Sequence, residues 1–375
     1  MPPPAKRTLF PIRLPAPAAG LRTELPGFEG VRFGVEEAED SLVAAADRLA
    51  LPRSALSDEP FNILAISGGA AGGAFGAGVL VGLTQAGARP KFAIVTGVST
   101  GALMAPFAFL GSAWDDRLTE AYTGGYAVQA LSLKHRPDSF GVGLLGARAL
   151  ERLIDRFIDQ DVVEAVAREH ALGRRLLTMT TDLDRQATCI WDMGQIASHG
   201  GPEALALFRK VLVASSSLPG LFPPRRFACE ADGVAYEEMH VDGGVSAPLF
   251  IMPEALLRWR NLGNRLDHGR IYVIVNTVLE QAPRTTHNNI ASILFRSFDT
   301  MLRFSYRNAL STAATFCAAH NLPLSATALL DDPANGNMLN FDTANMKRVF
   351  DAAVTRAQGD HLWTTPPPDL PPPAL

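Results

Sequence analysis

The chain turns from a strand into a helix at Val95-Thr96-Gly97-Val98-Ser99-Thr100-Gly101. The apolar run that leads in, Phe92-Ala93-Ile94-Val95, predicts a buried strand, and Ala102-Leu103-Met104-Ala105 opens a helical pattern. A serine between two glycines at such a turn is the nucleophile-elbow arrangement, Gly-x-Ser-x-Gly. Gly97 and Gly101 are the predicted elbow residues, because the strand and the helix approach closely only if both positions are small.

Ser99 is also predicted to lie at the N-terminal end of the following helix. The positive end of the helix dipole favours negative charge that develops there. Gly-x-Ser-x-Gly is a common pattern, however, and an ordinary tight turn between strand and helix explains it equally well. The rest of the chain has to distinguish the two interpretations.

Composition narrows the class of protein. The 375 residues are 47% hydrophobic and 19% charged, which is typical of a globular α/β enzyme. The net charge of −4 and the absence of a run of lysine and arginine argue against nucleic-acid partners. Cys189, Cys229 and Cys317 fit neither a disulfide framework nor a zinc spacing, so we expect free thiols in a reducing compartment.

Three segments are predicted. Residues 1–60 form a proline-rich lead-in with one short helix at Glu36–Ala50, residues 61–362 form the main globular domain, and residues 363–375 form a proline-rich disordered tail. The N-terminus has no apolar region typical of a signal peptide, and no stretch is long and apolar enough for a transmembrane helix. The predicted location is therefore the cytoplasm or a peripheral membrane surface.

A glycine-rich segment follows the first predicted strand, Asn62–Ile66, and extends from Ser67 to Gly78. Glycine inside a helix costs up to about 1 kcal/mol relative to alanine, so this density needs a reason. Close packing of the helix on the sheet is one reason, and main-chain N–H groups that face an anion or an oxyanion are another. Neither the P-loop pattern nor the dinucleotide-binding pattern fits this loop, and Gly141–Gly146 has the latter spacing without a preceding strand. No cofactor and no metal are expected.

Periodicity predicts the other elements of the chain. Strands are predicted at Arg175–Thr181, at Ala187–Trp191, over a run that ends at Asp242, and at Ile271–Val275. Helices are predicted at Thr100–Leu110, Asp115–Tyr122, Arg148–Leu172 with a break near Asp159 as an alternative, Glu203–Ala214 and Ser292–Ala319.

The long helix Ser292–Ala319 has an apolar side and an arginine side. The apolar side includes Phe295, Phe298, Leu302 and Tyr306, and the other side includes Arg296, Arg303 and Arg307. A core helix with a solvated arginine face and an amphipathic helix on an anionic membrane surface both fit this pattern.

The motifs, taken in order along the chain, resemble the patatin-like phospholipase family. The matches are Ser67-Gly68-Gly69, Gly97-Val98-Ser99-Thr100-Gly101, Ala214-Ser215-Ser216-Ser217-Leu218-Pro219-Gly220 with Phe222-Pro223-Pro224, and Val241-Asp242-Gly243-Gly244. They cover approximately Phe61 to Thr277. The resemblance implies an α/β fold, a three-layer sandwich with a mostly parallel central sheet similar to the catalytic domain of cytosolic phospholipase A2.

The resemblance also implies a mechanism. Ser99 would be the nucleophile and Asp242 its general base, in a serine–aspartate dyad without histidine. Main-chain N–H groups of Gly68, Gly69 and Ala70 would form the oxyanion hole. The expected activity is that of a serine esterase in lipid degradation, a phospholipase-type hydrolase acting on a lipid or phospholipid through an acyl-serine intermediate.

Three positions depart from the family's pattern. Ala70 replaces a third consecutive glycine, and it keeps an N–H for the oxyanion hole if its φ is negative. Gly72 replaces an arginine, which removes a charge that could hold a lipid phosphate. Ala247-Pro248 keeps only the proline of an Asn-x-Pro pattern.

Two alternatives stay open. An α/β-hydrolase with a Ser-His-Asp triad would draw its histidine from those that follow Asp242 in the chain, which are His268, His287, His320 and His361. A catalytically inactive lipid-binding protein on the same fold is the other alternative, and the altered glycine loop is the feature that favours it.

Overall fold

The computed structural model describes residues 13–18, 20–34, 61–131, 147–251, 269–280, 283–319, 321–331 and 339–366. Over these residues the strands are β1 (Arg32–Gly34), β2 (Asn62–Ile66), β3 (Ile94–Val98), β4 (Arg175–Asp182), β5 (Ala187–Asp192), β6 (Arg225–Ala231), β7 (Val234–Asp242), β8 (Arg270–Val278) and β9 (Leu324–Leu329).

The helices surround this sheet. They are α1 (Gly73–Gln85), α2 (Thr100–Leu110), α3 (Asp115–Thr123), α4 (Tyr126–Leu131), α5 (Ala147–Phe157), α6 (Gln160–Ala171), α7 (Met193–Ser198), α8 (Gly201–Ser215), α9 (Ile290–Ala319) and α10 (Thr343–Ala357). Short 3₁₀ turns at Ala70–Gly72, Ser112–Trp114 and Gly243–Val245 complete the described elements.

The centre of the sheet is parallel. Strand order is β1-β5-β4-β3-β2-β8-β9, and the pairs β4–β3, β3–β2, β2–β8 and β8–β9 are parallel. Antiparallel pairing is confined to one side, where β5, β1, β7 and β6 extend the sheet beyond β4. Parallel strands are buried on both faces, which explains why β2, β3 and β8 are mostly continuous apolar runs.

Helices cover both faces of the sheet, so the fold is the predicted three-layer α/β sandwich. Side chains of each strand alternate between the two cores: Leu64 and Ile66 of β2 lie in the core beneath α1 and α2, whereas Ile63 and Ala65 lie in the core beneath α9. The layer on the second face includes α9 and the loop residue Phe250.

The glycines of α1 allow this helix to pack closely against α10. A Cβ on Gly78 would lie 2.4 Å from the carbonyl oxygen of Phe350, and one on Gly82 would lie 2.6 Å from that of Val354. Both partners are in α10. The glycine density that the sequence could not assign therefore lets two helices pack backbone to backbone.

Helix α9 differs in part from both predicted interpretations. Leu302 and Tyr306 are buried against the sheet, as expected for a core helix. Arg303 is buried as well, where it donates to the Val278 carbonyl and pairs with Asp299 at 3.0 Å, so the arginine side is not uniformly solvated. None of the helices in the described part of the chain is long and apolar enough to cross a membrane.

The two terminal segments contribute to the fold. The predicted lead-in contains β1, which pairs with β5, whereas the helix predicted at Glu36–Ala50 lies outside the described residues. At the other end, Thr364 forms an antiparallel bridge with Ala326, and the Trp363 ring packs on Tyr272. The chain thus stays packed just past the boundary proposed at 362. The three cysteines are free thiols.

Candidate active site

Ser99 is the single residue between β3 and α2, and its backbone is strained. Its φ of 55° and ψ of −126° are uncommon for a residue other than glycine. The flanking glycines leave no room for side chains, because a Cβ on Gly97 would lie 2.5 Å from the Gly101 carbonyl oxygen and one on Gly101 would lie 2.4 Å from that of Ile66. Small residues are therefore required at both positions that the sequence predicts as elbow residues.

Asp242 lies next to Ser99 because β3 and β7 both end beside β4, at neighbouring positions. In parallel pairing with β3, Met179 of β4 is opposite Val98. From the next residue, Thr180, β4 pairs with antiparallel β7, whose last residue is Asp242. The carboxyl ends of β3 and β7 therefore meet, and the Ser99 hydroxyl donates a hydrogen bond of 2.6 Å to Asp242 Oδ2.

The Asp242 carboxyl is almost fully buried, at 2% exposure. Burial raises its pKa to about 7, although hydrogen bonds from Ser99 and from the Gly244 N–H oppose the shift. The Gly244 N–H donates to Oδ1 at 2.8 Å, so one oxygen is held by the backbone while the other faces the serine. This carboxyl is far more basic than a free aspartate, and it is oriented toward Ser99.

Three consecutive serines at the end of α8 hold Ser99 and Asp242 in position through hydrogen bonds. The Ser99 N–H donates to Ser215 Oγ at 3.1 Å, and Ser216 Oγ donates to the Ser99 carbonyl at the same distance. The Asp242 N–H donates to the Ser217 carbonyl at 3.0 Å. All three serines are buried. The sequence marked this segment as a family motif, but it gave no sign that the serines position the strained turn.

The glycine-rich loop lies over Ser99 and is clamped by a buried asparagine of β8. Asn276 Nδ2 donates to the Ser67 carbonyl at 2.9 Å, and a Cβ on Gly69 would lie 2.2 Å from the Asn276 carbonyl oxygen. A Cβ on Gly68 would lie 3.1 Å from the Ser99 Cβ. The loop backbone therefore passes directly against the serine, where an oxyanion hole would be needed. Sequence reasoning missed Asn276, because an asparagine in an apolar strand carries no motif.

Ala70 does not meet the condition set for it from the sequence. A negative φ was expected if its N–H is to serve the oxyanion hole, but its φ is 50°, in the left-handed region. That conformation costs an alanine about 1 kcal/mol relative to glycine. The strain follows from the replacement of the third glycine.

We predict that Ala70→Gly raises the free energy of unfolding by about 1 kcal/mol, since glycine adopts this φ without a steric cost. The matched control is Ala71→Gly, one residue later, where the alanine is buried and its φ is not positive. That change should lower stability instead. Thermal and urea unfolding measure both variants, and an Ala70→Gly protein less stable than wild type would contradict the assignment of strain.

An apolar cavity, partly open to solvent, lies beside Ser99 and Asp242. Its wall is formed by α2, α3, α5, the loop after α8 and α9, with Ala127 of α4. The apolar residues that line it include Leu103, Phe107, Ile154, Phe157, Leu218 and Phe222. In the described part of the chain, the lining contains no lysine, arginine or histidine. A long apolar group is the kind of ligand that such a cavity can bury.

The position of the missing arginine is closed to side chains. A Cβ on Gly72 would lie 2.0 Å from the Asn276 carbonyl oxygen. The loop has therefore packed onto β8 at the point where the family carries a cation. Together with the absence of cationic side chains from the described lining, this removes one route by which a lipid phosphate would be recognised in the cavity.

Among the histidines proposed for a triad, those that the structure describes do not lie in the site. His287 and His361 are exposed and do not line the cavity. His268 and His320 lie outside the described residues. His240, which the chain-order argument passed over, is buried two residues before Asp242, but its ring nitrogens contact Thr180 at 2.8 Å and Glu238 at 3.2 Å.

A buried ionic cluster lies beyond the dyad on β4 and β7. Asp182, Glu238 and His240 are close enough together to suggest a metal site. Glu238 is instead occupied by Arg32 and Arg185. Burial works against its charge, but the hydrogen bond from His240 and the Arg32 guanidinium hold the pKa of Glu238 well below its usual range. The cluster fits a structural ion-pair network better than a cation site, because two guanidinium groups already balance the carboxylate.

The sequence model of the patatin-like phospholipase family matches residues 64–254. This match spans half of the chain, including the glycine-rich loop, the serine turn and Asp242. The chain belongs to the patatin-like phospholipase family. Membership supports a lipid acyl hydrolase activity in general, with a lipid as substrate. A comparison with curated protein sequences gives no match.

One solved structure similar to this patatin-like chain is that of VipD from Legionella pneumophila. It aligns with 80% of this chain and 67% of the VipD chain, at 12% sequence identity and a TM-score of 0.34. At that level of similarity nothing specific to VipD is transferred to this chain.

Proposed function

We propose that the protein is a serine-dependent lipid acyl hydrolase in which Ser99 is the nucleophile and Asp242 the general base. The observation that carries the proposal is the hydrogen bond of 2.6 Å from the Ser99 hydroxyl to the buried Asp242 carboxyl, beside an apolar cavity. A nucleophile within hydrogen-bond reach of an oriented base is the arrangement that covalent catalysis requires.

The reaction follows from this geometry. Ser99 Oγ attacks the carbonyl carbon of a carboxylic ester while its proton passes to Asp242 Oδ2. The carbonyl oxygen becomes an oxyanion, which the N–H groups of Gly68 and Gly69 and the N-terminal end of α2 stabilise. Ala70 is left out of this role, because its φ of 50° does not meet the condition set for it. Collapse breaks the bond to the alkoxy oxygen, and the alcohol leaves with the proton from Asp242. Water then cleaves the acyl-serine in the same way and releases a carboxylic acid.

The raised pKa of Asp242 suits it to this role. A carboxyl with an ordinary pKa near 3.9 is a weak base toward a serine hydroxyl. Burial brings the pKa to about 7, where a general base is most effective at neutral pH. The carboxyl can thus accept the serine proton and return it within one catalytic cycle.

We infer that the acyl chain of the substrate lies in the cavity. Leu103 and Phe107 follow Ser99 on α2 at intervals of four residues, so the lining extends at least about 12 Å along that helix from the serine. A long apolar chain can be buried over this distance, whereas the lining has no cationic side chain that could pair with a phosphate. The substrate class is therefore a carboxylic ester with a long acyl chain.

The first test is covalent labelling with a fluorophosphonate probe, which reacts with activated serines. Wild-type protein should be labelled, Ser99→Ala should not, and Ser112→Ala should be labelled like wild type because Ser112 is exposed and far from the site. Absence of labelling in folded wild-type protein would refute the hydrolase and favour the inactive lipid-binding alternative.

A second prediction concerns chain length. Ala127 belongs to α4 and lines the cavity without touching the dyad, so Ala127→Phe places a ring in the space assigned to the acyl chain. We expect kcat/KM for a palmitoyl ester to fall at least about tenfold, while that for a butyryl ester changes less than about threefold. Steady-state hydrolysis of the nitrophenyl palmitoyl and butyryl esters measures the ratio of the two kcat/KM values.

The matched control is Ala86→Phe, at an exposed alanine after α1, which should leave both esters unaffected. Ala127→Leu is a smaller change for the case in which the phenylalanine variant does not fold. If both variants fold and the palmitoyl-to-butyryl ratio stays at the wild-type value, the acyl chain does not occupy this part of the cavity.

A further inference from the structure

The outward side of α9 carries an unusual number of exposed apolar side chains. Five of the twelve large apolar residues that are exposed in the described part of the chain lie on this one helix. Their exposed fractions are 79% for Ile290, 46% for Ile293, 64% for Leu294, 69% for Met301 and 56% for Phe304. We call these five residues the α9 apolar face. Clusters of this kind mark surfaces that contact another phase or molecule.

The α9 apolar face is confined to the N-terminal half of the helix. Farther along the helix, the exposed residues are Asn308, Thr312, Thr315 and the two alanines at its end, Ala318 and Ala319. The spacing from Leu294 through Met301 to Asn308 keeps one face of the helix. A solvent-exposed helix would be polar along its whole outward side, so the change at mid-helix sets this half apart.

Arginines accompany the α9 apolar face. Residues 283–319 contain four arginines and a single acid, Asp299, although the whole chain has a net charge of −4. Arg303 is buried, so Arg284, Arg296 and Arg307 are the arginines of this segment that reach solvent. Asp299 is shared between Arg296 and Arg303, at 3.8 Å and 3.0 Å. The guanidinium of Arg307 lies over the Phe304 ring, 4.3 Å from its centroid. Apolar side chains flanked by arginines are the composition of helices that lie in the headgroup region of an anionic membrane.

The inner side of the same half of α9 forms part of the candidate active site. Phe298, Leu302 and Tyr306 line the cavity beside Ser99. These residues alternate in sequence with the exposed Leu294, Met301 and Phe304. The helix is therefore the layer between the cavity and the surroundings on this side, and whatever touches the α9 apolar face is one helix diameter, about 10 Å, from the acyl-chain site.

We propose that the α9 apolar face docks on the surface of an anionic lipid bilayer and thereby brings the cavity to its substrate. The purpose of the docking rests on the proposed hydrolase function, but the docking itself does not. A second copy of the chain is a poorer occupant, because a two-fold contact would place the arginines of one copy against those of the other. A bilayer with anionic headgroups accepts both the apolar side chains and the arginines.

The test uses the full chain in the Ser99→Ala background, so that no lipid is consumed. Flotation with vesicles of phosphatidylcholine and phosphatidylserine is compared with flotation on phosphatidylcholine alone. The variant is Leu294→Gln/Met301→Gln/Phe304→Gln, which keeps side-chain length and helix propensity. The matched control is Leu14→Gln/Leu172→Gln/Val234→Gln, at three apolar residues outside α9 that are about half exposed.

We expect Ser99→Ala to float with the mixed vesicles, less so at high salt. The α9 variant should lose at least about tenfold in vesicle partitioning, and the control variant should stay within about twofold. With Ser99 restored, both variants should hydrolyse a soluble butyryl ester at the wild-type rate, because none of these residues lines the cavity. That assay separates the docking from the hydrolase function. If the wild-type protein does not hydrolyse the ester, the proposed hydrolase function is refuted and the docking proposal is not affected.

Two results would overturn the proposal. The first is an α9 variant that floats as well as the Ser99→Ala parent, or a parent that does not bind either vesicle. The second is a parent that sediments as a dimer in analytical ultracentrifugation while the α9 variant sediments as a monomer. In that case the α9 apolar face is an interface between copies of the chain.

Discussion

Ser99→Ala is expected to lower kcat/KM for a butyryl ester by at least about a thousandfold, because it removes the only atom proposed to form the acyl-enzyme bond. The fold should survive the change. The strained backbone at φ 55° is no worse for alanine than for serine, and the contacts with Ser215 and Ser216 involve the main chain of residue 99. One hydrogen bond to Asp242 is lost, so the free energy of unfolding should change by no more than about 1.5 kcal/mol.

The measurement is steady-state hydrolysis by purified protein, with thermal unfolding to establish that the variant is folded. Ser112→Ala controls for handling and for the loss of a hydroxyl, since Ser112 is exposed. An activity close to the wild-type value in folded Ser99→Ala, reproduced after a second purification by a different route, would remove Ser99 from the mechanism and with it the proposed function.

The local elements nearest the site were predictable because their signals are local. The apolar run of β2 and the helix after the serine turn have the predicted bounds, Asn62–Ile66 and Thr100–Leu110. The break near Asp159 is real, and Asp159 caps α6 by accepting a hydrogen bond from the Val162 N–H at 3.1 Å. Glycine, proline and capping residues act over a few positions, so a sequence reveals them directly.

Contacts between distant segments were not predictable in the same way. Ser99 and Asp242 were paired through the family resemblance, but their meeting depends on β4 exchanging one partner strand for another between Met179 and Thr180. No periodicity records such an exchange. Asn276 holds the glycine-rich loop from a strand that reads as plain apolar sequence. Strand β6 was not predicted, because its two buried residues, Phe227 and Cys229, alternate with exposed positions and form no apolar run.

Helix α9 is a further case in which tertiary contacts could not be predicted from the sequence. Its apolar and basic residues were visible in the sequence, but the burial of Arg303 depends on the carbonyl of Val278 and on Asp299. The exposure of Met301 and Phe304 likewise depends on which side of the helix meets the sheet. Helical periodicity gives the faces of a helix, and only the tertiary structure says which face is covered.

Asp242→Asn is expected to reduce kcat/KM nearly as far as Ser99→Ala does, because residues that act as a unit lose activity together. Asparagine keeps the size of the side chain and can accept the hydrogen bond from the Gly244 N–H, but it cannot take the serine proton. In the wild type, the same reasoning predicts a pH profile. Activity should rise as Asp242 ionises and level off above about pH 7, the value to which burial raises its pKa.

Stability should change in the opposite direction from activity. The carboxyl binds its proton more tightly in the folded protein than in the unfolded chain, where its pKa is about 3.9. Between that value and about pH 7 the folded state therefore holds more protons, so the free energy of unfolding falls as pH rises. Asparagine does not titrate. Above pH 7 the Asp242→Asn protein should be more stable than wild type, by up to about 4 kcal/mol, and the difference should vanish toward pH 4.

The pair of measurements separates a buried base from a structural carboxylate. A carboxylate that merely held the fold together would lose stability on conversion to asparagine, whereas the proposed base gains stability and loses activity. Urea unfolding across the pH range and ester hydrolysis supply the two curves, and Asp116→Asn, at an exposed aspartate, should shift neither. The triad alternative is tested alongside by single glutamine replacements of the histidines that follow Asp242 in the chain, His268, His287, His320 and His361. If one of these folded variants falls to the level of Ser99→Ala while Asp242→Asn keeps substantial activity, the base is that histidine and the dyad is wrong.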